Sequence, residues 1–205
     1  MDLRGLQTRQ LDGLREVANI GAGHAATALS QLTGRRVSIE VPEVSILRLQ
    51  DVGTVVGEPD EVVSAVLMRI LGDITGRTVQ VFPAATASRL AGMLLGRDDP
   101  GFPDGFSELE QSTLKEVGNI IVGAYLNALS DFMGMLLIMS VPALAIDMAA
   151  AVLATTYINF GDTTDDVFCV NVTMHMEGSS ELPAHFLLIP DRASLKVLLR
   201  ALRLA

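Results

Sequence analysis

A constant offset of one hundred residues relates two stretches of this chain, and whatever fold accepts the first must accept the second. The run from Asp12 to Pro42 returns from Ser112 to Pro142. Identical at that offset are Leu14/Leu114, Glu16/Glu116, Val17/Val117, Asn19/Asn119, Ile20/Ile120, Gly23/Gly123, Ala28/Ala128, Leu29/Leu129, Ser30/Ser130, Gly34/Gly134, Val41/Val141, Pro42/Pro142 and Ile46/Ile146. Apolar identities are what a duplicated core keeps. A repeated glutamate and asparagine ask for another reason.

On a helix, positions i, i+4, i+7 and i+11 share a face, so Asp12, Glu16, Asn19 and Gly23 form one stripe. Ser112, Glu116, Asn119 and Gly123 form its counterpart. Leu11, Leu14, Ala18, Ala22, Ala25 and Leu29 fall mostly on the opposite side and face a core, so the carboxylate and carboxamide are expected to face outward. A single exposed Glu and Asn on a surface helix would be read as solvated residues. Two pairs at one spacing point to function. Asparagine competes for its own backbone and has no local reason to sit in mid-helix twice. Its amide offers a donor and an acceptor from one rigid group, which suits holding a water molecule. Gly23 and Gly123, one turn on, are expected to let another surface approach closely.

The repeat extends beyond the motif. Leu3 to about Thr33 reads as a long amphipathic helix closed by Gly34. Val37, Ile39 and Val41 alternate as a half-buried strand does, and Pro42 redirects the chain into a second strand, Val44 to Leu49. Glu61–Ile70 and Thr75–Phe82 flank Gly72 and Asp73 as an antiparallel hairpin, and Ala84–Leu95 makes a helix stopped by Gly96. Pro100, Gly101, Pro103 and Gly105 mark a linker over residues 97–106. Ser107 and Glu110 then form a capping box that starts the second long helix, which runs to about Met133.

Further strands are expected at Leu136–Val141, Leu144–Asp147, Val152–Phe160, Val167–Met176 and His185–Ile189, with a closing helix at Asp191–Arg203. Each half reads helix, two strands, hairpin, helix. One unit made of two repeats, about 1–96 and 107–205, is the expected organisation.

The chain's 205 residues are 49% hydrophobic and 19% charged, enough to bury a sizeable core. A net charge of −9 without a basic stripe argues against nucleic acid and against anionic membrane surfaces. The apolar run Met133–Ile146 is broken by Pro142 and ended by Asp147, short of the ~18 residues that a membrane span needs. The polar segment Met1–Arg9 lacks the apolar run of a secretory signal, and the lone Cys169 excludes an internal disulfide, so a reducing cytoplasm is expected. Asp162, Asp165 and Asp166 lack the spacing of a calcium loop, and His24, His175 and His185 lack zinc spacing. The Gly21-Ala-Gly23 segment lies inside a helical pattern with no Gly-Lys-Ser/Thr after it, so it is not a phosphate loop.

The pattern Asp/Ser, three residues, Glu, two residues, Asn, twenty-two residues, Pro, met by Asp12, Glu16, Asn19 and Pro42 and again by Ser112, Glu116, Asn119 and Pro142, resembles the CheC branch of the CheC/CheX/FliY chemotaxis phosphatases. The segments Asn19–Ser30 and Glu116–Gly134 look like that family's two signature helices, and the resemblance covers almost the whole chain. It implies an α+β fold of pseudo-twofold halves, two long helices lying on a continuous, mostly antiparallel sheet. It also implies a hydrolase acting on the aspartyl phosphate of a phosphorylated CheY-like response regulator. Carried over by residue, Asn19 and Asn119 would orient the attacking water, and Glu16 and Glu116 would pair with the regulator's active-site lysine. Mg²⁺ would belong to the regulator, leaving this chain without a cofactor or metal of its own.

Asp12 and Ser112 would support the glutamates or touch the partner, and Asp147, within Ile146-Asp147-Met148, resembles the region through which such proteins bind the receptor deamidase CheD. A satisfied strand-end carboxylate is an equal reading of Asp147. A non-catalytic adaptor for CheY or CheD, or a scaffold like those of the flagellar switch, is the competing expectation for the whole chain.

Overall fold

The computed structural model describes residues 8–97, 105–158, 166–177 and 181–204. The first half supplies α1 (Thr8–Thr33), β1 (Val37–Arg48), a 3-10 turn (Leu49–Asp51), α2 (Gly53–Val56), β2 (Val62–Gly72), β3 (Gly76–Pro83) and α3 (Ala84–Leu94). The second supplies α4 (Glu108–Met133), β4 (Leu137–Met139), β5 (Ala143–Met148), α5 (Ala149–Ile158), β6 (Asp166–Met176), β7 (Leu182–Pro190) and α6 (Arg192–Leu204). The proline- and glycine-rich stretch of the expected linker, residues 98–104, lies outside the described residues, as do residues 1–7 and the aspartates Asp162 and Asp165.

The seven strands form one sheet in the order β1-β6-β7-β3-β2-β4, with β5 also pairing β2, and every pairing is antiparallel. Its outer strands are exchanged between halves: β1 lies beside β6, while β4 and β5 lie beside β2. The pseudo-twofold axis passes through the β3/β7 pair. There Gln80 faces Phe186, and the trio Leu144–Val66–Gln80 on one side matches Val44–Val170–Phe186 on the other.

The helices begin and end where their sequences require. Ser107 Oγ accepts the Glu110 N–H while Glu110 Oε2 accepts the Ser107 N–H at 2.8 Å, completing the capping box. These bonds from Ser107 also hold the Glu110 carboxyl below its ordinary value of 4.5. Both long helices stop at a glycine in the left-handed region, Gly34 at φ +65° and Gly134 at φ +64°. The repeated serines tie each helix end to the segment beyond it: Ser30 Oγ accepts the Val37 N–H at 3.0 Å, and Ser130 Oγ donates to the Met135 carbonyl.

The repeated prolines mark a bulge in each half. Between Glu40 and Glu43 the register of β1 advances three residues while β6 advances two; between Met139 and Ala143 the chain advances four while β2 advances three. Proline cannot donate to a ladder, so an extra residue at that point is the local solution. The expected pair of strands in the first half is consequently one bent strand, β1. In the second half β4 shrinks to three residues, because Ser140 turns out of the ladder to bond Arg69 through both its N–H and its Oγ.

One expected strand is a helix. Val152–Phe160, rich in β-branched residues, reads as a strand by propensity, but Ala149–Ile158 forms α5; Asn159 and Phe160 lie outside the described residues. Burial of Ala149, Val152, Leu153 and Thr156 at i, i+3, i+4 and i+7 explains why the helical period wins. At the constant offset, Val152 and Thr156 answer Val52 and Val56, the buried residues around α2.

The sheet therefore has two covered faces. Helices α1, α3, α4 and α6 pack on one, over a core that includes Met68, Phe82, Phe168, Met174 and Phe186. On the other, α2 and α5 cover a smaller core built around Val63, Val79, Val81, Leu187 and Ile189.

The long helices α1 and α4 run antiparallel, with Gly13 near Phe132 and Gly21 against Tyr125. A β-carbon on Gly21 would stand 2.9 Å from the Tyr125 Cα, so the crossing admits no side chain at position 21. In the repeat the sizes are reversed, Ile121 answering Gly21 and Ala25 answering Tyr125, all four buried.

Candidate active site

Glu16 and Asn19 lie on α1, and both are exposed, as are Asp12 before them and Gly23 after them. On α4, Ser112 and Glu116 are exposed and Asn119 is half-buried. Among the described residues, none of the Glu16, Asn19, Glu116 and Asn119 side chains makes a hydrogen bond or ion pair. The helices hold them from beneath through buried Leu14, Val17 and Ala18 on α1 and Leu114, Val117 and Gly118 on α4. Because a glutamate and an asparagine three residues apart lie on adjacent turns, each pair projects as a unit.

The two pairs sit toward opposite ends of the helix bundle. Gly21 and Tyr125 fix the level of the crossing, so Glu116 lies level with Ser30 of α1. That separates the glutamates by about 20 Å along the axis at 1.5 Å per residue. Both helices lie on the same face of the sheet.

The sites are not copies in detail. Gly23 has no atom within 4 Å of an added β-carbon, which leaves the outer face of α1 open. Gly123, expected to be equally bare, is buried, and its β-carbon would meet Met139 Cε at 3.1 Å. The reason lies in β4: Met139 is long enough to reach α4, whereas its counterpart Ile39 leaves Gly23 uncovered. Open space at the glycine is thus a property of α1 alone.

A cleft of about 520 Å³ lies beside the second site. Ser112, Lys115, Glu116 and Pro142 line it together with Leu32, Leu94 and Leu95, giving one polar wall and one apolar wall. Lys115 and Pro142 were not among the residues expected at the site. The sequence signal for the first was present, since Arg15 and Lys115 place a cation immediately before the glutamate in both copies. Pro42, by contrast, is exposed at the β1 bulge.

Asp147 is exposed at the end of β5, which pairs with β2 through Asp147 and Val63. Its Oδ1 accepts the Met148 N–H at 2.8 Å, the bond of a satisfied strand-end carboxylate, and its side chain is exposed. Met148 beside it is also exposed.

Outside these sites, Cys169 is buried and its thiol is pushed up to about 12 by burial, with the Glu43 carboxylate adding to the effect, which makes it an inert core residue. Glu43, Asn171 and His185 form a chain across three strands. Asn171 Nδ2 donates to Glu43 Oε2 at 3.1 Å, and His185 Nδ1 lies 3.0 Å from Asn171 Oδ1. With the amide nitrogen committed to Glu43, that contact requires the proton on His185 Nδ1. No group of three or more His, Cys, Asp or Glu side chains among the described residues could hold a metal ion. No described helix is long and apolar enough to cross a membrane.

The fold is shared with solved structures of other proteins. The crystal structure of Thermotoga maritima FliY superposes with a TM-score of 0.76 at 23% identity, covering 97% of this chain and 98% of that one. The FliM middle domain from H. pylori superposes at 0.68 with 14% identity, covering 96% and 99%. Residues 10–46 and 109–146 match the CheC-like family, and the chain is 34% identical, over 97% of its length and 96% of the relative's, to the CheY-P phosphatase CheC of Bacillus subtilis (strain 168). The chain belongs to the CheC-like family.

Proposed function

We propose that this protein hydrolyses the aspartyl phosphate of a phosphorylated CheY-like response regulator in chemotaxis signalling. One observation carries the reading: the same acid–amide pair, Glu16 with Asn19 and Glu116 with Asn119, stands on two antiparallel surface helices with no partner among the described residues. Side chains left free in this way suit insertion into a docked protein. The relationship to a CheY-P phosphatase over nearly the full chain supports the substrate class.

Each residue has a task that its chemistry permits. Asn19 or Asn119 accepts a hydrogen bond from the attacking water through its carbonyl oxygen and fixes the water in line with phosphorus. Glu16 or Glu116 pairs with the regulator's lysine and holds the two proteins in register. Water then adds to phosphorus as the bond to the aspartyl oxygen breaks, giving inorganic phosphate and a free aspartate. Phosphoryl transfer needs positioning and charge neutralisation more than a nucleophile from the enzyme. The regulator supplies its own Mg²⁺, and this chain contributes no cofactor.

Asp12, Ser112 and the cations Arg15 and Lys115 tune the approach of the partner around each glutamate. Asp147 and exposed Met148 make the second contact surface, which we assign to the receptor deamidase CheD. The cytoplasm, where such regulators work, is the assigned compartment.

The test is the loss of phosphate from a labelled CheY-type regulator in Mg²⁺, with and without this protein. Faster decay is expected. Binding without acceleration would favour the adaptor role.

A further inference from the structure

The helix that carries the second pair meets the sheet in an unusually close contact. Gly118, between Val117 and Asn119, is buried, and a β-carbon on it would stand 2.7 Å from each of Val66 Cβ, Cγ1 and Cγ2. Non-bonded carbons pack best at ~3.5–4.0 Å, so 2.7 Å is a clash. Val66 cannot yield. It is fully buried on β2, branched at its β-carbon, and clamped between Gln80 of β3 and Leu144 of β5.

The equivalent place beneath α1 is built differently. Ala18 takes the position of Gly118, and Val170 that of Val66. Ala18, Val44, Val170 and Phe186 line an apolar cavity of about 40 Å³ there. The first helix stands off its sheet strand where the second touches it. In keeping with that, Asn19 is exposed and Asn119 is half-buried.

We propose that Gly118 is a positioning residue for the second site: its missing side chain sets the height of α4 over β2, and with it the reach of Asn119 and Glu116. The inference rests on the phosphatase reading of those pairs. An alanine at 118 adds a methyl that the strand cannot absorb, so α4 must rise by about 1 Å to restore ordinary contact. A displacement of that size costs on the order of a hundredfold in a reaction governed by positioning. The first site has no such seat and is spared.

The two sites allow an internal control. Regulator dephosphorylation is measured with Asn19→Ala, which leaves the second site, and with Asn119→Ala, which leaves the first; Gly118→Ala is then added to each. The expected result is a fall of about ten- to a hundredfold in turnover in the Asn19→Ala chain, with little change in the half-saturating regulator concentration, and an unaltered rate in the Asn119→Ala chain. Adding Val66→Gly, which removes all three opposing atoms, restores most of the lost turnover.

If Gly118→Ala does not fold, Val66→Ile in the Asn19→Ala chain decides, because it crowds the same contact from the strand side and is expected to lower second-site turnover alone. Unchanged turnover in Asn19→Ala with Gly118→Ala, or with Val66→Ile, overturns the proposal, as does an equal loss from both sites. Absence of acceleration by the wild-type chain and by both single-asparagine chains overturns the phosphatase reading instead.

Discussion

Gln80 and Phe186 face one another at the centre of the sheet, each occupying the other's place in the repeat. Phe186 stacks on Tyr125 with ring centroids 4.8 Å apart, whereas the Gln80 amide is fully buried with neither Nε2 nor Oε1 hydrogen-bonded. Duplication kept the backbone twofold and let the side chains on the axis diverge. An unpaired buried amide costs about 1–3 kcal/mol. Gln80→Met, of similar shape, is therefore expected to raise the free energy of unfolding by about 1 kcal/mol, read from the urea midpoint at constant slope.

The helix crossing predicts opposite effects from one substitution at two neighbouring glycines. Gly21→Ala drives a methyl into Tyr125 and is expected to destabilise by about 1–3 kcal/mol, more than the ~1 kcal/mol of helix propensity that alanine adds. Gly23→Ala meets no atom within 4 Å and is expected to gain up to about that propensity. Thermal unfolding of the two variants decides. Equal shifts would mean that the helices do not cross at Gly21.

Burial holds His185 below its ordinary value of 6.5. Below that pH the unfolded chain takes up a proton that the folded chain refuses, so this histidine's contribution to stability is present above 6.5 and is lost as pH falls toward the lower folded value. Unfolding measured from about pH 7 to about pH 5 is expected to show the wild type weakening more steeply than His185→Gln. The difference in slope is at most about 1.4 kcal/mol per pH unit. Parallel slopes would place the imidazole in contact with water.

The repeat is a strong guide to the fold because its invariant positions have local physical causes. Gly34 and Gly134 need a left-handed backbone, and Pro42 and Pro142 force a bulge. Where tertiary packing chooses between periods, sequence reasoning fails. The β-branched residues of α5 suggest a strand, and only burial at helical spacing against the second face of the sheet reveals the helix. The acid and amide positions on the two long helices are legible from spacing alone. The covering of Gly123 is not, because it depends on the length of Met139 from β4, and the cleft at Lys115 depends on Leu32 of α1, distant in sequence.

The direct test concerns the two asparagines. With a phosphorylated CheY-type regulator in Mg²⁺, the wild-type chain is expected to accelerate loss of phosphate, each of Asn19→Ala and Asn119→Ala to keep part of that acceleration, and the double variant to fall by about a hundredfold or more toward the regulator's own decay. Full acceleration by the double variant would contradict the assignment of water positioning to these amides.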